Sequence, residues 1–174
     1  MIDPIEILNN KALKATEQGA LLMVALEDKT LSVQNLLGGI ERLKAPMQSK
    51  ILGVLEGATR QQPNLVTSDV MAVVTDCLQS TAPSVIRESA RIIANTIHLH
   101  TSVIPELIPL LKKITGHEGT VVRWSAATAI NSIAGCTSDI QSLEKLITPL
   151  AAKEEQASIV KIYQKALKTL KKRA

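Results

Sequence analysis

The chain repeats itself: apolar clusters of matching internal spacing return every 36 to 39 residues, and no other property restricts the possible folds so tightly. One set reads Val33, Leu36, Leu37 and Ile40; then Val70, Val73, Val74 and Cys77; then Leu107, Leu110, Leu111 and Ile114; then Leu143, Leu146, Ile147 and Leu150. Its steps are 37, 37 and 36 residues. A second set starts at Met47, Ile86, Val122 and Ile159, with steps of 39, 36 and 37. Each member carries further apolar residues at helical spacing, as in Val122, Ala126, Ala129, Ile130 and Ile133. Spacings of three, four and seven residues mark one face of an α-helix. Two independent sets with a common period are unlike chance.

Punctuation separates the clusters. Asp3-Pro4, Ala45-Pro46, Gln62-Pro63 and Ala82-Pro83 suit helix starts, and Gly116, Gly119 and Gly135 suit ends and turns. The reading is helices over 4–27 with a break around Gly19, then 31–43, 46–61, 65–79, 83–98, 102–115, 119–134, 138–151 and 154–172. Composition agrees. Phe is absent, Trp124 and Tyr163 are the only aromatics, and the aliphatic inventory favours helix over strand. One pair of helices cannot cover its own apolar face, whereas stacked neighbours bury it continuously. The expected architecture is all-α: a right-handed solenoid of four helix pairs behind an N-terminal capping helix, forming one domain over 1–174.

The run Val122-Arg123-Trp124-Ser125-Ala126-Ala127-Thr128-Ala129-Ile130-Asn131-Ser132-Ile133 resembles the second helix of a HEAT repeat, and Leu107-Ile108-Pro109-Leu110-Leu111 resembles the first. Ile86-Arg87 through Ile97 matches more loosely, and the outer units share only the apolar spacing. The resemblance, to the HEAT/armadillo repeats, implies a scaffold or adaptor that binds partners on a concave side lined by second helices. Two features depart from that pattern. Thr81 and His117 stand where an Asp often precedes the Val-Arg step, and Thr128 replaces the Asn that follows Trp in peptide-gripping armadillo repeats.

Catalytic chemistry finds little support. Metal catalysis needs three or four converging ligands, and the three histidines, His98, His100 and His117, fall at helix ends and turns. No phosphate-cradling GxxxxGK[ST] motif occurs. Cys77 takes a core position, and Cys136 follows Gly135 at a helix end without a nearby histidine. The two cysteines form no CxxC pattern. The start lacks a basic segment followed by a long apolar one, and the longest apolar run, Gly19–Leu26, is too short for a bilayer. The expectation is a non-catalytic protein without metal or cofactor, away from membranes, in the reducing cytoplasm.

Net charge is +4, concentrated late: residues 121–174 hold nine Lys or Arg against four acids. Mean hydropathy is slightly positive at +0.15, so some apolar surface is expected to stay open. Positions two, six, nine and thirteen beyond the first apolar residue of each second helix lie opposite the core on a helical wheel. They read Ser49, Gly53, Glu56 and Arg60; Glu88, Ile92, Asn95 and Leu99; Trp124, Thr128 and Asn131; and Lys161, Lys165, Lys168 and Lys172. The expected partner is an acidic or amphipathic protein segment across units two to four. It would rest on Trp124 and Ile92, meet Glu88, Leu99 and Thr128, bond its backbone to Asn95 and Asn131, and reach Lys161, Lys165 and Lys168 with its acids. The rival reading is nucleic acid held through the lysine face. Self-association through an uncapped end helix is compatible with both.

Overall fold

The computed structural model describes residues 2–174, and among them no strand occurs. Ten α-helices follow in order: α1 Pro4–Asn9, α2 Ala15–Glu27, α3 Val33–Leu37, α4 Ala45–Thr59, α5 Ser68–Leu78, α6 Pro83–Thr96, α7 Ile104–Ile114, α8 Thr120–Ala134, α9 Ile140–Lys153 and α10 Ala157–Arg173. Starts follow local chemistry. Proline occupies the first turn of α1, α4, α6 and α7, where its missing N–H leaves no bond unmade. Asp3, Ser32, Thr67 and Asp139 accept backbone N–H groups as N-caps.

The fold is an all-α solenoid of helix pairs with the armadillo/HEAT arrangement, preceded by an N-terminal helical cap. Pairs form as α5 with α6, α7 with α8 and α9 with α10, while α4, α6, α8 and α10 pack directly one on the next. The first helices α5, α7 and α9 make no comparable contact among themselves, so the stack is tightest along the second helices. Small residues permit this. Ala90, Ala126, Ala127 and Ala129 have no exposed surface. Ser89 and Ser125 are equally buried, and each hydroxyl donates to the carbonyl four residues back, Val85 and Val121, at 2.9 Å. A buried hydroxyl so satisfied carries little desolvation cost.

The N-terminal region departs from the sequence reading. The helix expected over 4–27 breaks at 10–14, not at Gly19. Asn10 turns the chain by accepting the Ala12 N–H at 3.0 Å, and Glu17 accepts the Lys14 N–H at 2.6 Å to start α2 afresh. Gly19 stays inside α2. The helix expected over 31–43 shrinks to α3 and a 3-10 turn at Ile40–Arg42, because Gly38 and Gly39 intervene and Gly39 adopts a left-handed φ of 69°. This stub leaves part of α5 uncovered. Cys77, expected in the core, is therefore half-buried beside a cleft of about 530 Å³ that Ile40, Glu41 and Val73 also line. Burial still pushes its thiol up to about 11.

Arg123 ties the third unit to the fourth. Its Nε and Nη2 donate to both carboxylate oxygens of Glu154 at 3.0 and 3.2 Å, and its Nη1 donates to the carbonyls of His117 and Glu118. The missing Asp before the Val-Arg step is thus replaced from the following unit. At the C-terminus Arg173 donates to the carbonyls of Ala134 and Thr137 at 2.7 and 2.8 Å, fastening α10 to the end of α8.

Candidate functional site

Helices α6, α8 and α10 begin at Pro83, Thr120 and Ala157, each 37 residues after the last. Equivalent outward positions therefore run Arg87, Trp124, Lys161; then Arg91, Thr128, Lys165; then Ala94, Asn131, Lys168; then His98, Gly135, Lys172. None of these residues is buried. The wheel drawn from the first apolar residue agrees with this strip on α8 and α10 but misses it by one residue on α6.

That offset overturns part of the expected site. Glu88 is 5% exposed and Ile92 has no exposed surface. One residue corresponds to about 100° of helical rotation, enough to turn both out of the open strip and into the packed sides of α6. Asn95 is half-buried and already engaged: its Nδ2 donates to the Glu56 carbonyl at 3.3 Å and the Thr59 hydroxyl at 3.1 Å, joining α6 to α4. Leu99 is exposed, but it lies beyond α6 in the 3-10 turn Ile97–Leu99.

The α8 and α10 residues stand where the sequence places them. Trp124 is 39% exposed. Thr128 is half-buried, with its hydroxyl donating to the Trp124 carbonyl at 2.8 Å. Asn131 is also half-buried, and its Oδ1 is the one buried side-chain polar atom without a partner among the described residues. Leaving such an atom unpaired costs about 1–3 kcal/mol. Lys161, Lys165 and Lys168 are exposed along α10.

Sequence reasoning misses the surface of α6. Glu56 and Glu88 are buried carboxylates, and Arg60, Arg87 and Arg91 lie over them. Arg60 binds Glu56 through Nε and Nη2 at 2.9 and 2.8 Å, and this pairing raises its pKa further. Arg91 bridges Glu56 at 3.2 Å and Glu88 at 3.4 Å, while Arg87 Nε donates to Glu88 at 2.8 Å. The signal was present: Arg87 and Arg91 are four residues apart, as are Glu56 and Arg60, and charges at that spacing share a helix face.

Charge separates the two helix layers. Helices α8 and α10 contain no Asp or Glu, and α6 contains only the buried Glu88. The first helices mix Asp69, Asp76, Glu106 and Glu144 with Lys112, Lys113, Lys145 and Lys153. A cleft of about 550 Å³ opens between α7 and α9, floored by Ile104, Pro105, Ile108 and Leu143, and contains none of the expected site residues. Two of the three histidines serve local structure: His100 Nε2 lies 2.7 Å from the Val66 carbonyl, and His117 Nδ1 accepts the Gly119 N–H at 2.8 Å, while His98 is exposed. Among the described residues no three His, Cys, Asp or Glu side chains converge as metal ligands, and no helix is long and apolar enough to cross a membrane.

Solved structures share this architecture. An engineered protein aligns with a TM-score of 0.75 at 19% identity over 97% of this chain, which spans 47% of that protein. A designed armadillo repeat protein in complex with the peptide (KR)4 aligns with a TM-score of 0.69 at 18% identity, covering 88% of this chain and 68% of its own. A computationally designed armadillo repeat protein for modular peptide recognition gives 0.67 at 20% identity, covering 95% and 73%. These likenesses establish an armadillo/HEAT-like repeat fold. No family model matches the sequence, and no curated protein does.

Proposed function

We propose that this chain is a protein-interaction scaffold, acting as one unit in the cytoplasm, that holds an acidic or amphipathic partner segment along the concave side lined by its second helices. The observation that carries this reading is Trp124, 39% exposed at the middle of a strip whose three helices present no open carboxylate. A partly exposed Trp amid polar neighbours is a frequent anchor of binding energy. Asn131 supports it, since its unpartnered amide oxygen would gain a bond by turning to a partner's main chain. Lys161, Lys165 and Lys168 supply charge complementarity for acidic residues. The designed armadillo repeat protein in complex with (KR)4 holds a basic peptide; the cationic strip here favours an acidic one.

The test uses a partner recovered by crosslinking in native lysate. Trp124→Ala is expected to weaken its binding by about 2 kcal/mol or more, with a smaller loss of stability. Replacing Lys161, Lys165 and Lys168 with Gln is expected mainly to slow association. A folded Trp124→Ala protein that binds as before would remove the basis for the site. The second reading, nucleic acid, draws on the lysine row of α10 and predicts the reverse: decisive lysines, a minor Trp124 and a steep fall of affinity with salt.

A further inference from the structure

The arginine cluster between α4 and α6 is built in two levels. Its floor is two carboxylates, Glu56 and Glu88, whose side chains are each 6% exposed; its roof is the guanidiniums of Arg60, Arg87 and Arg91, at 55, 40 and 29%. A carboxylate inside a helix seam needs paired cations, because an isolated buried charge is expensive. Two cations would neutralise the floor, and three are present. The roof therefore keeps a positive excess on the outer side.

Its hydrogen-bonding capacity is also incomplete. Arg60 and Arg87 each use Nε and Nη2 on the glutamates, and neither Nη1 has a protein acceptor among the described residues. Arg60 grips both oxygens of Glu56, Arg87 places both donors on one oxygen of Glu88, and each guanidinium is thereby tethered to a buried carboxylate. Its free edge can then take a second acceptor with little further loss of side-chain entropy. Arg87 occupies the position on α6 that Trp124 occupies on α8 and Lys161 on α10. The open strip thus reads cation, aromatic, cation across three stacked helices.

We infer that Arg60, Arg87 and Arg91 form a second anchoring point for carboxylates of the bound segment, so that the partner is acidic on both sides of the apolar residue seated at Trp124. This rests on the scaffold reading above and extends it, because a segment held by the lysines alone needs acids on one side only. Carboxylate is the chemistry that fits. The free guanidinium edges donate to planar oxygen pairs, and the indole of Trp124, between the arginines and the lysines, takes an apolar side chain.

The experiment uses four labelled peptides and fluorescence anisotropy at low salt. One has a central Leu with Glu pairs on both sides, two have Gln in place of one Glu pair, and one has Gln in place of both. The unaltered chain is expected to bind the doubly acidic peptide tightest. Arg60→Gln with Arg87→Gln, which keeps Arg91 between the glutamates, is expected to weaken that peptide roughly tenfold, towards the level of a singly acidic one. Equal binding of the doubly and singly acidic peptides by the unaltered chain overturns the inference, and this comparison stands even where the arginine variants fail to fold. Silent arginine substitutions beside an effective Trp124→Ala overturn it and leave the scaffold reading intact. If Trp124→Ala is silent too, that reading falls with it. An oligothymidylate that binds more tightly than every peptide overturns both in favour of phosphate.

Discussion

Ala126 has no exposed surface and belongs to the α8 seam, where a methyl group is all that the neighbouring second helices leave room for. Ala126→Leu forces extra carbons into a closed space and should cost roughly 1–3 kcal/mol. Urea titration followed by circular dichroism measures it, and an unchanged midpoint would mean that the seam is loose. Trp124 lies two residues away on the same helix with 39% of its surface open. Its helix therefore has a closed side and an open side within a single turn, and substitutions on the two sides should report on stability and on binding separately.

At the scale of elements, legibility in the sequence follows periodicity. The second helices α4, α6, α8 and α10 were all readable because their apolar residues recur at helical spacing over three turns or more, and proline or glycine bounds the first three. The stub α3 was not readable: Val33, Leu36, Leu37 and Ile40 keep helical spacing even though Gly39 takes the chain out of the helix between the last two. Within the proposed site, the exposure of Trp124 and the lysines was legible, whereas Glu88 and Ile92 were misplaced by a single residue of rotation. Ile92 itself held the clue, since an Ile on the outward strip with arginines one residue before it and four before those fits burial better than exposure. The spacings inside the arginine cluster were legible, but its assembly was not, because the Arg91–Glu56 bridge joins two helices whose pairing no local pattern displays.

The link between the third and fourth units gives a pH prediction. Glu154 is held below its ordinary 4.5, first by the hydrogen bonds from Arg123, with burial opposing. A depressed carboxylate contributes stability that is fully present above its unfolded pKa and is lost as pH falls through the folded value. Glu154→Gln should therefore lower the denaturation midpoint at pH 7, and the gap to the unaltered chain should close as pH falls below the ordinary 4.5 and through the depressed folded value. A gap that persists undiminished at pH 2 would mean that packing of the Glu154 stem, not its charge, holds the turn.

Across the whole molecule, each unit is stabilised only by its neighbours, so the ends and the middle cannot be equally firm. Helices α6 and α8 are flanked on both sides in the second-helix row, and each also has its own first helix beneath it. The C-terminal α10 has one flank, but Arg173 pins its last turn to the end of α8. The N-terminal end is fastened more lightly, by one bond from Lys50 Nζ on α4 to the Leu8 carbonyl at 3.2 Å. There α1 is six residues long, α3 is five, and α2 leaves Leu21 and Val24 49% and 55% exposed. A short helix contributes few backbone bonds and a narrow apolar face, and local opening is easiest where buried contact is sparse. Amide hydrogen exchange read by mass spectrometry should therefore rank the chain: residues 2–43 exchange first, α10 later, and α6 with α8 last, near the rate set by global unfolding. Binding of a segment across α6, α8 and α10 should slow exchange in those helices and leave residues 2–43 unchanged. Equal protection from α2 to α10 in the free chain would instead mean that the array opens as one cooperative unit, and a partner would then stabilise its N-terminal end as much as its groove.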